Sequence, residues 1–179
     1  MMKTIPVIFL LSFFFLSSCE NKLVRDKEGL IVYQENQISW VRNFEPLNPV
    51  SICRWPTRGG IYESLYLNNP ITTDWVPWLA TNYEWKNNNK KLLFTIRSEV
   101  QWSDGRAFSA HDVAYTLNLW KEYPALDTRN AWEYLKSVIA ISDTLVEVDF
   151  KRVYVPGFEA LAGAPIVPKH IWDELKDPL

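Results

Sequence analysis

The hydrophobic pattern begins with a run over residues 5–16, interrupted by one Pro and one Ser and preceded by a single charge, Lys3. Its 12 residues are too few to cross a bilayer as a helix, which takes about 20. They suit the apolar core of an export signal. Residues 21–28 are charged and polar, and Leu30-Ile31-Val32-Tyr33 is a short β-branched run that predicts a first strand. Residues 34–49 have no regular period, and Pro46 and Pro49 discourage regular structure. Further on, Ile61 with Leu65 and Tyr62 with Tyr66 recur at helical spacing behind Gly59-Gly60, which predicts a helix starting near Gly60 and reaching Leu67.

The next segments read as hairpins and one long helix. Trp75 to Ala80 leads into a strand at Asn82-Tyr83-Glu84-Trp85, and residues 86–90, with three consecutive Asn, are a polar turn before a strand over residues 92–97. Asp104-Gly105 is a dipeptide that readily adopts the positive φ of a tight turn. Ser109 with Asp112 three residues on forms a capping box. Val113, Leu117 and Trp120 then mark one apolar stripe on a helix over residues 110–123, which Pro124 ends. Residues 130–136 read as a short helix. Val138 to Ile141 and the strict alternation of Val146, Val148 and Phe150 make a second hairpin, with Glu147 and Asp149 on its solvated face. A helical turn over residues 156–161 and a last helix over residues 165–175 complete the pattern. Hairpins mixed with helices give an α+β fold with a mainly antiparallel sheet.

Charge narrows the function classes. Without residues 1–18 the chain carries 18 basic against 21 acidic side chains, a formal −3, which leaves no basic footprint for nucleic acid. Cys19 and Cys53 are the only cysteines. With Cys19 assigned to lipid, as argued below, Cys53 has no disulfide partner and reads as a buried small hydrophobe.

Candidate catalytic chemistry is sparse. Ser103, Asp104 and His111 hold the residue types of a hydrolytic triad, but Ser103 and Asp104 are neighbours in a turn and no nucleophile-elbow pattern surrounds them. His111 is expected on the exposed first turn of the long helix. His111 and His170 are the only histidines and lack ligands at metal-binding spacing, and the six glycines form no phosphate cradle. The reading is therefore no enzyme, no metal and no cofactor. The excess lies in aromatics: nine Trp, eight Tyr and nine Phe. Trp102, Trp120, Tyr62 and Trp78 are assigned to the core. Gln37, Trp40, Asn43, Phe44 and Asn48 occupy the irregular segment after the first strand and are the candidate ligand contacts, since binding residues favour loops on a rigid scaffold.

Several strings carry a resemblance. Leu16-Ser17-Ser18-Cys19 resembles the lipobox of bacterial lipoproteins, which implies cleavage before Cys19 and lipid attachment to it. Ile61-Tyr62-Glu63-Ser64-Leu65, Pro77-Trp78-Leu79-Ala80-Thr81-Asn82-Tyr83-Glu84, Trp102-Ser103-Asp104-Gly105 through Val113, and Ile166 to Trp172 resemble, in order, segments of the family 5 extracytoplasmic solute-binding proteins. Glu99 stands where that family usually has Gly, implying a strained corner if the position is left-handed. The resemblance implies a two-lobed periplasmic-binding-protein type II fold, of which this chain is the N-terminal part. It divides the chain into a lipoprotein signal peptide (1–18), a tether (19–29) and a truncated binding domain (30–179). It further implies a lipid-anchored receptor on the outer face of the cell membrane, capturing oligopeptides or oligosaccharides for the permease subunits of an ABC importer. A transport-inactive or surface-adhesin lipoprotein is the alternative. The resemblance covers about the first third of such proteins, so the chain is expected to fold in part and bind weakly alone. Asn43-Phe44-Glu45-Pro46 with Asn48-Pro49, and Tyr123-Pro124-Ala125-Leu126-Asp127, look more like the oligosaccharide-binding branch.

Overall fold

A computed structural model describes residues 44–47 and 60–175, all within one contact unit spanning Gln34–Leu179. Cys19, Gln37, Trp40, Asn43, Asn48, Cys53 and the strand expected at residues 30–33 lie outside the described residues.

A four-stranded antiparallel sheet organises this unit. Its strands are β3 (Ala80–Lys86), β4 (Lys91–Ile96), β5 (Leu135–Ser142) and β6 (Leu145–Phe150), in the order β3-β4-β6-β5. Two hairpins thus meet at a central β4–β6 pair, with Phe94 opposite Val146 and Leu92 opposite Val148. Alternation in these strands sends Leu92, Phe94, Ile96, Val146, Val148 and Phe150 to one face, where all are buried. Helix α1 (Ala110–Glu122) covers that face with Val113, Leu117 and Trp120. Glu147 and Asp149 take the other face, where Lys91 Nζ reaches them at 2.7 and 3.6 Å. The Glu147 carboxylate is the main cause of a raised Lys91 pKa.

Local chemistry explains the long helix. Ser109 Oγ accepts from His111 N at 3.2 Å, and Asp112 Oδ2 accepts from Ser109 N at 2.9 Å, closing the capping box in both directions. Before it, Gly105 adopts φ 84°. Trp102 N donates to Arg106 O at 2.8 Å and Gly105 N to Trp102 O at 2.9 Å, so the Trp-Ser-Asp-Gly string is a tight turn.

Other elements differ from the sequence pattern. The helix expected from Gly60 to Leu67 does not continue past Ile61. Ser64 instead bridges Pro165, Ile166 N donates to Glu63 O, and β1 (Tyr66–Asn68) pairs with β2 (Trp75–Pro77). Partners at residues 165–166 and in the neighbouring β2 take the backbone groups a local helix would have used, and a short Tyr-rich run suits either period. The helix expected over residues 130–136 is a single 3-10 turn, Ala131–Glu133, because the backbone from Leu135 onward belongs to β5. Likewise, α3 is confined to Lys169–Trp172, since Pro165 is held by Ser64. Helix α2 (Gly157–Ala162) lies so close to β6 that a Cβ on Gly157 would sit 2.7 Å from the Phe150 ring.

Candidate functional site

Of the proposed ligand segment, only its end, Phe44 to Leu47, is described. Phe44 is 45% exposed, whereas Leu47 is buried and Leu47 N donates to Glu45 Oε1 at 2.6 Å. Pro46 and Leu47 form one wall of a cavity of about 120 Å3 whose other walls include Trp120, Asp127, Arg129 and Pro165.

The opposite wall is assembled from the turn after α1. Pro124 starts a 3-10 turn, Pro124–Leu126, and Asp127 follows it with its carboxylate buried. Asp127 Oδ1 and Oδ2 accept from Ala131 N and Trp132 N, each at 2.8 Å, which closes the loop and drives Asn130 to φ 51°. Asn tolerates that left-handed conformation better than most residues. Arg129 is held by a 2.6 Å bond from Nη1 to Glu159 O. On α1, the Trp120 indole N–H is fully buried and has no acceptor among the described residues.

The Trp-Ser-Asp-Gly turn is built for support. His170 Nε2 sits 2.6 Å from Asp104 Oδ2, joining residues 66 positions apart. The Arg106 N–H on Asp104, and then His170, hold the Asp104 carboxyl below its ordinary range. His111 turns instead to Asp143 at 3.4 Å on an exposed surface. Ser103, Asp104 and His111 are therefore not assembled as a triad. Trp102 is half-buried edge-on against Phe108, with ring centroids 5.6 Å apart, and lines a cavity of about 320 Å3 with Glu63 and Leu79.

Among the four aromatics assigned to the core, Trp120 is buried, and Tyr62 and Trp102 are half-buried. Tyr62 packs on the core with a phenol pKa raised by burial, which a hydrogen bond with Trp172 opposes. Trp78 departs from the expectation at 42% exposure. It stands at the corner after β2, where Leu79 and Ala80 take the inward positions and the Trp78 carbonyl accepts from Arg97 Nε at 2.8 Å. Sequence reasoning missed the grouping of Trp120, Asp127 and Arg129. The string from Tyr123 to Asp127 was its only outward sign, because the cavity's other wall comes from residues 46–47 and 160–165.

Comparison with known proteins places this geometry. The model of the family described as bacterial extracellular solute-binding proteins, family 5 Middle, matches residues 74–178. The mannohexaose-bound periplasmic oligopeptide-binding protein of an oligopeptide ABC transporter from Thermotoga maritima superposes with a TM-score of 0.68 at 31% identity, over 75% of this chain and 25% of that one. A probable ABC transporter-binding protein from Deinococcus radiodurans is 28% identical over 74% of this chain and 23% of its own length. The nickel-binding periplasmic protein of Escherichia coli is 29% identical over 69% of this chain and 24% of its own. The chain thus spans about a quarter of the length of these relatives. The superposition also supports the mixed helix and antiparallel-sheet architecture as part of a type II periplasmic-binding-protein fold.

Proposed function

Because the chain belongs to the bacterial extracellular solute-binding proteins of family 5, we propose that it supplies the N-terminal part of a receptor that captures a solute outside the membrane and delivers it to the permease of an ABC importer. Residues 1–18 act as the signal peptide, Cys19 carries the lipid, residues 19–29 are the tether and residues 30–179 belong to the binding domain. The receptor binds and releases its solute by movement of lobes and performs no reaction on it. Gln37, Trp40, Asn43, Phe44 and Asn48 contribute ligand contacts from the segment that ends against the Trp120 cavity.

Oligosaccharide is the favoured solute class, with oligopeptide second. The observation that carries this order is the likeness to a protein crystallised with mannohexaose. Arg129 on the wall of the first cavity agrees with it, since a hydroxyl-rich ligand offers acceptors to a guanidinium. Nickel has the support of one relative's name, and among the described residues no group of three His, Cys, Asp or Glu is placed to hold a metal ion.

Thermal shift of the lipid-free, full-length receptor with mannohexaose, with tetra-alanine and with nickel-histidine tests the solute. A rise in Tm with mannohexaose alone is the expected result. A rise with tetra-alanine alone makes the receptor a peptide binder, and no shift with any probe favours the transport-inactive alternative. Radiolabelled palmitate incorporation, lost in Cys19→Ser, tests the anchor.

A further inference from the structure

Trp120 and Asp127 also line a second and larger cavity, of about 480 Å3, to which the receptor reading assigns nothing. Its floor is apolar: Trp120, Pro124, Trp132 and Leu135. Its rim carries three ammonium groups, Lys121, Lys136 and Lys151. None of the three pairs with a carboxylate among the described residues, whereas Lys86, Lys91 and Lys169 all do. Lys121 Nζ hangs 5.3 Å above the Trp132 ring, and Lys151 Nζ donates to the carbonyls of Trp132 and Glu133 at 3.0 and 3.2 Å. The acids in the lining are Glu133 and Asp127, and the Asp127 oxygens are already engaged by two backbone N–H groups. Trp120 is shared with the lining of the first cavity.

We propose that this cavity is a second binding site, taking a small organic anion whose carboxylate or phosphate meets the lysine rim while its ring or apolar body rests on Trp132 and Leu135. The volume falls within the usual range for small-molecule pockets, roughly 300–1,000 Å3. Three unpaired cations around an apolar floor favour an anion with a hydrophobic body over either a neutral sugar or a bare inorganic ion. The site does not rest on the importer reading, because its walls are α1, the turn after it and the start of β5.

The test is calorimetric titration of the full chain, freed of its lipid, with 3-phenylpropionate, phenyl phosphate, inorganic phosphate and mannohexaose. The expected result is saturable binding of both phenyl compounds with Kd on the order of 1 mM, weakened by added salt. Lys121→Gln/Lys136→Gln leaves the Lys151 bonds in place and is expected to weaken that binding about tenfold, the loss of charge-assisted contacts, while the mannohexaose response and the melting profile stay as in the wild type. Absence of saturable binding overturns the proposal, as does phenylpropionate binding that the double lysine variant leaves unchanged. Inorganic phosphate binding as tightly as phenyl phosphate overturns the apolar-body requirement. The lysine result and the mannohexaose result are read separately, so failure of one is distinguishable from failure of the other.

Discussion

Glu99 holds a backbone φ of 66° at the corner between β4 and the Trp-Ser-Asp-Gly turn. A side chain in the left-handed region costs roughly 1–2 kcal/mol, offset in part by the greater freedom Gly brings to the unfolded chain. Glu99→Gly is therefore expected to raise unfolding stability by about 0.5–1 kcal/mol, measured by urea denaturation. The strain was legible in the sequence because one residue type stood where the resemblance led one to expect Gly. Asp104 supports a second prediction. Its carboxyl pKa lies below the ordinary 3.8 because the charged form accepts from Arg106 N and faces His170. A depressed folded pKa means stability that is present above 3.8 and is lost as pH falls through the folded value. Asp104→Asn removes that component, so acid melts of the variant are expected to decline less steeply below pH 3.8 than those of the wild type. An equal decline in both would refute the assignment. Trp78 was not legible, because whether a corner residue faces in or out depends on which neighbour the sheet draws inward.

At the scale of elements, what could be read from the sequence divides by the distance of the hydrogen-bond partner. The capping box of α1, the Asp-Gly turn, the three-Asn turn and both sheet hairpins carry their determinants within a few residues, and each forms where the pattern put it. The positive φ angles of Asn87, Asn88 and Asn89 belong to this local class. The segment around Ser64 and Tyr66 is split, since its pairing with β2 is a local hairpin whereas its bridge to Pro165 is invisible to any local window. The candidate site divides the same way: its Asp127 loop left a trace in one stretch of sequence, but the cavity needs three distant stretches. The cap itself is open to test. Ser109→Ala is expected to cost about 1 kcal/mol. Asp112→Ala should cost more, about 2–4 kcal/mol, because the buried carboxylate also accepts from Lys169 N at 2.9 Å. Equal losses in thermal denaturation would refute the second role.

Across the whole unit, the residues that matter to the proposed receptor sit on walls drawn from both ends of the described chain, residues 46–47 and 160–165, with α1 between them. Thr116 illustrates the coupling. Fully buried on α1, its hydroxyl accepts from Val167 N at 3.1 Å and donates to Asp112 O at 2.8 Å. Thr116→Val keeps the shape but leaves the Val167 N–H without a partner, an expected loss of about 1–3 kcal/mol, checked by calorimetric melting. These ties bear on the order in which the molecule is made. Strands β4 and β6 lie side by side although α1 and β5 separate them along the chain. The last bonds to α1 come from residues 167–169. Contacts that span long stretches of chain close slowly, because loop entropy is lost before they form. During synthesis, therefore, the first hairpin and the cap of α1 can form early, but the layer they belong to is completed only once residue 169 has left the ribosome. Until then the apolar face of the sheet is without its final cover. For the exported receptor proposed above, that interval is the natural window for the secretion machinery to hold the chain unfolded.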